Sequence, residues 1–198
     1  KKMKQWQQWS HTVIPSLLQP YLAYQQLSNH FWNPVDYELP MCGCHQTRKL
    51  RVICIDFNAL QSIDLAVCPC APAALQLLWM GYFPCAPLGP TLAVSLQLLS
   101  FVQQLFMHIP PNTSAWCESL QAYLAAMGYE VDTKEGIHQR FSNAYHWYCI
   151  LETSLDEYVQ QQLQESASPP SNIPSAIPLP SPPDNDVLSS KMRPSEYL

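Results

Sequence analysis

Apolar residues recur along this chain in several rhythms, and each rhythm predicts a different kind of element. Near the start, Trp9, Val13, Leu17, Leu18, Tyr21, Leu22 and Tyr24 follow a loose helical period with Pro15 and Pro20 inside it. Proline lacks the backbone donor and crowds the carbonyl four residues earlier, so this stretch reads as broken amphipathic turns. Leu50 to Phe57 reads as a strand, and a second short strand fits before Cys68. Ala73 to Met80 then forms a short helix, with Pro72 suited to its start and Gly81 to its stop.

The longest apolar stripe follows. Between Pro90 and His108, Leu92, Leu96, Leu99, Val102 and Phe106 share one face, flanked by Leu98, Phe101 and Leu105. A helix that is apolar over most of its circumference belongs at the centre of the fold. Asn112 or Thr113 can cap the next helix, which carries Trp116, Leu120 and Leu124 to a stop near Gly128. The last helix begins at the capping-box-like Asp132-Thr133-Lys134-Glu135 and runs through Ile137, Phe141, Ala144, Tyr148, Leu151, Leu155, Tyr158 and Leu163 to about Gln164. Its aromatic stripe is read as core before it is read as an interaction surface.

Composition sharpens the division of the chain. From Ser166 onward proline and serine dominate, too little apolar content to repay ordering, so 166–198 is expected to be a disordered, polyproline-like tail. Residues 1–39 form an N-terminal helical or irregular segment, and 40–165 hold the cysteines and a helical body. The apolar run Leu65 to Val102 contains five prolines, at 69, 72, 84, 87 and 90, which exclude one uninterrupted membrane helix. Six Lys/Arg face three Asp/Glu in 1–57, but two face nine in 58–165, so basic character is confined to the first third. The expected class is α+β, mainly α: a small treble-clef-like zinc hairpin packed on a helical body, with a disordered C-terminal tail.

The zinc expectation comes from two cysteine doublets, Cys42-Gly43-Cys44 and Cys68-Pro69-Cys70, separated by the two short strands. Zn²⁺ takes four soft ligands in a tetrahedron, and knuckle, hairpin and helix start is the order a structural site needs. On a straight strand, thiols at i and i+2 share a face but lie too far apart to chelate one ion, so the chain must turn at Gly43 and Pro69. Buried core thiols are the competing reading, and they suit Cys54, Cys85, Cys117 and Cys149. His45 reads as a turn residue before it reads as a ligand. Disulfides are disfavoured because the chain opens Lys1-Lys2-Met3-Lys4-Gln5-Trp6, with no apolar signal segment. The start without an initiator Met points to a piece of a longer, intracellular protein.

Catalytic chemistry is hard to place. The chain has no G-x-S-x-G, no H-E-x-x-H and no Gly-rich phosphate loop, and only five glycines in all. The thioredoxin-type C-x-x-C is missing as well, so a redox enzyme is the most distant reading. Nucleic-acid binding has candidates: Arg48, Lys49 and Arg51 on the proposed hairpin, and Lys1, Lys2 and Lys4 interleaved with Trp6 and Trp9. Three charges on a solvated hairpin are the ordinary alternative, and the acidic body favours a protein partner.

Longer blocks carry a resemblance. Arg51-Val52-Ile53-Cys54-Ile55-Asp56-Phe57, Cys68-Pro69-Cys70-Ala71-Pro72-Ala73, and the run from Gly81-Tyr82-Phe83-Pro84 to Val94 belong to it, together with Thr113-Ser114-Ala115-Trp116-Cys117-Glu118 and Arg140-Phe141-Ser142-Asn143-Ala144-Tyr145-His146-Trp147-Tyr148. Over about residues 40–150 the chain resembles the first type of CxC-like cysteine cluster domain, found in fungal KDZ (Kyakuja-Dileera-Zisupton) transposases. The resemblance implies an accessory, zinc-binding, non-catalytic region with Cys42, Cys44, Cys68 and Cys70 as Zn²⁺ ligands. It also implies a nuclear protein that recognises DNA, at transposon ends or target, or that assembles with the transposase catalytic region or with its own copies. No segment resembles the family's catalytic domain, so a fragment, truncated copy or decayed element is expected.

Overall fold

The computed structural model describes residues 2–31, 33–35, 44, 47–129 and 137–167. The fold is α+β and mainly helical, with one four-stranded sheet held between a large helical body and one short helix.

The N-terminal segment is not a set of broken turns. Helix α1 (Lys2–Gln8) continues through a π turn (Trp9–Val13) into α2 (Ile14–Leu27). The Ile14 N–H donates to the Trp9 carbonyl, five residues back, just ahead of Pro15. Widening the helix there keeps the chain helical beside a residue whose ring would clash with an α-helical carbonyl, and Pro20 is carried inside α2. After α2 the chain reverses through Asn29, His30 and Phe31, all left-handed at φ 51, 53 and 69. Ser28 Oγ accepts from the Phe31 N–H at 3.0 Å, and the Phe31 ring lies against Tyr21 and Tyr24.

Strands β1 (Arg48–Ile55) and β2 (Leu60–Val67) form the expected antiparallel hairpin, in register from Arg48↔Val67 to Ile55↔Leu60. Helix α3 (Ala73–Trp79) follows, and Gly81 after it adopts φ +83. The next segment departs from expectation. Instead of one helix from Pro90, the chain forms β3 (Tyr82–Pro84) and β4 (Leu92–Ser95), and α4 begins only at Leu96, running to His108. Four consecutive buried residues in β4 have no period, so spacing alone cannot tell them from a helix turn. Ser95 marks the true boundary, since its Oγ accepts from Leu98 N at 3.1 Å and donates to Asp56 Oδ1 at 2.7 Å.

β4 pairs parallel with β1 and antiparallel with β3, giving the order β2-β1-β4-β3. Helix α5 (Thr113–Ala126) is capped by Asn112, whose Oδ1 accepts from Ala115 N at 3.0 Å, and stops before Gly128 at φ +86. Helix α6 (His138–Ala167) closes the fold. The Asp132–Glu135 cap and the Pro/Ser segment from 168 lie outside the described residues.

Strand alternation sends the sheet's residues into two cores. Ile55, Phe83, Leu92 and Val94 face the main core, with Leu17 and Tyr21 of α2, Leu98 and Leu99 of α4, and Phe141, Tyr148 and Leu151 of α6. Val52, Cys54, Leu65 and Ala93 face a smaller core closed by Ala73 and Leu77 of α3. The aromatic stripe of α6 is therefore core, as its period suggested. Inside it the buried Tyr21 hydroxyl donates to the Glu152 carboxylate and lies 3.3 Å from the Tyr148 hydroxyl.

Candidate metal centre and basic hairpin

Pairing of β1 with β2 determines where the cysteines meet. Cys44 precedes β1 and Cys68 follows β2, so the terminal pair Arg48↔Val67 draws Cys44 and the second doublet to the mouth of the hairpin. Cys68-Pro69-Cys70-Ala71 is a tight turn: Cys68 N donates to Ala71 O at 3.3 Å and Ala71 N to Cys68 O at 3.2 Å. Gln76 of α3 fastens this turn, donating from Nε2 to Ala71 O at 2.7 Å and to Ala66 O at 2.8 Å. The result is Cys44 Sγ at 3.6 Å from Cys70 Sγ.

That separation fits a metal site. Two thiolates at about 2.3 Å from one tetrahedral Zn²⁺ stand about 3.8 Å apart, whereas a disulfide needs about 2.05 Å. None of the described cysteines is disulfide-bonded. Cys70 is exposed, Cys44 half-buried and Cys68 buried, next to this pair in the turn. Cys42 and His45 lie outside the described residues, and among the described ones no group of three or more His, Cys, Asp or Glu is arranged around a metal position. The fold thus brings together one thiol from each doublet.

The isolated cysteines behave differently. Cys54 is fully buried in the small core, where burial pushes its thiol up to about 12, and Cys117 is raised likewise by burial beside Glu118. Burial also raises Cys85 and Cys149 above the ordinary thiol value. Thiols held protonated in apolar surroundings are packing groups rather than ligands or nucleophiles.

The three hairpin cations do not form one cluster. Arg48 lies on the Val52 and Cys54 face of β1, whereas Lys49 and Arg51 lie on the opposite face. Arg48 donates from Nη2 to the Leu88 carbonyl at 3.1 Å, which ties the hairpin mouth to the loop between β3 and β4. Arg51 is paired with its cross-strand neighbour Asp64, at 2.9 Å through Nε and 3.3 Å through Nη2. That hydrogen bond lowers the Asp64 carboxyl and raises the Arg51 guanidinium. Lys49 is exposed on the same side.

A family model described as CxC1 like cysteine cluster associated with KDZ transposases matches residues 27–127. The chain belongs to this CxC1 family. No curated protein and no solved structure matches it. The CxC1 span contains the whole sheet with α3, α4 and α5, while α1, almost all of α2, and α6 lie outside it. Those flanking helices nonetheless supply Leu17, Tyr21, Phe141 and Tyr148 to the core over the CxC1 sheet. Among the described residues no helix is long and apolar enough to cross a membrane.

Two contributors to the site had no sequence signal of their own. Gln76 is one of many glutamines, and only the docking of α3 against β2 aims its amide at the cysteine turn. Asp64 becomes the partner of Arg51 only once the strand register is known.

Proposed function

We propose that this CxC1 domain is a zinc-stapled, non-catalytic accessory module of a KDZ-type transposase, acting in the nucleus and binding DNA through the mouth of the β1–β2 hairpin. The observation that carries this reading is the 3.6 Å approach of Cys44 and Cys70 across the hairpin mouth. Cys42 and Cys68 complete the ligand set in a treble-clef manner. Zinc there supplies no reaction; it fixes the ends of two strands so that Arg48 and Lys49, on opposite faces of β1, present charge to phosphates from either side of the hairpin mouth. Arg51, already neutralised by Asp64, contributes less.

A second reading, assembly of transposase subunits through the aromatic face of α6, has weaker support. Phe141, Tyr148 and Leu151 are fully buried against the protein's own sheet and helices, so that face is spent on folding.

The test is a titration of duplex DNA with the intact chain and with a variant carrying Arg48→Glu and Lys49→Glu, over a range of salt. Loss of two phosphate contacts lowers the magnitude of the salt slope by about 2 and weakens affinity roughly tenfold or more. An unchanged affinity in a variant that melts normally would overturn the DNA reading.

A further inference from the structure

Away from the hairpin, α1 and α6 enclose a cleft of about 300 Å³. Its α1 side carries Lys2 and Trp6, its α6 side carries Gln139, Asn143, His146 and Trp147, and the loop at Cys85, Ala86 and Pro87 closes one end. Positions 139, 143, 146 and 147 fall on one helical face, as do 2 and 6. The back wall is a pile of aromatic rings. Trp9 stacks between Phe83, at a centroid distance of 5.6 Å and 12°, and Trp147, at 5.3 Å and 14°. Trp9 opens the π turn, so the helix irregularity and the stack share a residue.

In front of this pile Trp6 is different in kind. It touches Trp147 at a tilt of 57° and a centroid distance of 6.4 Å and meets the His11 ring edge-on at 6.2 Å and 85°, stacks on neither, and is 51% exposed although it lines the cleft. An indole half open to solvent is a platform awaiting a flat partner. Around it stand side-chain amides, which both donate and accept hydrogen bonds, the His146 imidazole and one lysine; among the described residues no carboxylate lines the cleft. A cationic guest would find no counter-charge there, and a purely apolar one would leave the amides unpaired. A heteroaromatic ring with polar edges and a nearby negative charge suits the amides, the lysine and the open indole face, while His146 packs on Trp147.

We propose that this cleft takes a single unpaired nucleobase, stacked on Trp6 and hydrogen-bonded at its edge by Asn143 and Gln139, with Lys2 facing the adjoining phosphate. The inference rests on the nucleic-acid reading only for the class of partner. One loop connects the two places: Cys85, Ala86 and Pro87 line the cleft, and the next residue, Leu88, accepts the hydrogen bond of Arg48. A strand held at the hairpin mouth therefore has a short path to the cleft.

The test compares binding of the intact chain to a thymidylate decamer, to an abasic strand of the same length, and to duplex DNA. The thymidylate strand is expected to bind roughly tenfold more tightly than the abasic strand, as base stacking on an aromatic ring provides. Trp6→Ala should erase that preference while leaving duplex affinity within about twofold, and Trp6→Phe should retain part of it. Because Trp6 is half exposed, Trp6→Ala should melt like the parent. No base preference in the parent, or a preference untouched by Trp6→Ala, would overturn the pocket. The hairpin reading fails separately: Arg48→Glu with Lys49→Glu leaving duplex binding unchanged overturns that reading while a Trp6-dependent base preference stands. Binding to none of the three strands overturns both.

Discussion

Cys54 and Cys70 show how one residue type takes two roles according to its surroundings. Cys70 sits exposed in a turn opposite Cys44, whereas Cys54 is sealed between β1 and α3 with its thiol held up to about 12. Cys117 is raised to about 12 too, and burial raises Tyr21 and Tyr148 well above the usual phenol range. In the unfolded chain such thiols ionise near 9.0 and such phenols near 10.0. Between those values and the raised folded ones the unfolded state has lost protons that the folded state keeps. Their contribution to stability is therefore complete below about pH 9 and falls as pH rises toward 12. Melting temperature followed from neutral to alkaline pH should decline from about pH 9 upward, with thiolate and tyrosinate absorbance appearing together with unfolding. Titration of these groups in a still-folded protein would contradict the account. Cys54 was legible as core because it stands mid-strand beside Val52. The Arg51–Asp64 pair was not, because thirteen residues of separation become a contact only through the hairpin register.

At the scale of the element, caps and stops were the readable features and irregular connections were not. Asn112 and Gly128 bound α5 as expected, because each supplies a specific chemistry to a helix end. Gly81 has a stronger requirement than a stop signal conveys. It adopts φ +83, and a Cβ placed there would stand 2.6 Å from the hydroxyl of Tyr24 in α2. Gly81→Ala should cost about 1–3 kcal/mol, from the left-handed backbone and the displaced Tyr24 together, measured by denaturant unfolding. A loss below about 0.5 kcal/mol would mean that α2 does not rest on the end of α3. The π turn and β4 escaped the sequence for physical reasons. Proline argues for a break and carries no sign that the helix can widen instead, and a fully buried four-residue strand carries no alternation.

The whole molecule is a CxC1 sheet completed by helices from outside the matched span. Residues 27–127 hold all four strands, yet the main core over that sheet is finished by α2 and α6. The helical body and the hairpin follow from apolar period and alternation; the division into two cores and the parallel pairing of β1 with β4 do not, since the pairing joins segments about forty residues apart. The same topology leaves the hairpin mouth at the edge of the fold. There Cys44 and Cys70 approach across the mouth, with buried Cys68 beside them in the turn. On the proposed reading a metal holds this corner closed. The decisive measurement is elemental analysis of the protein purified under reducing conditions, with melting followed before and after chelation. One equivalent of zinc, whose removal lowers the melting temperature and opens Cys44 and Cys70 to alkylation, is the predicted result. Zinc-free protein of equal stability would contradict the account.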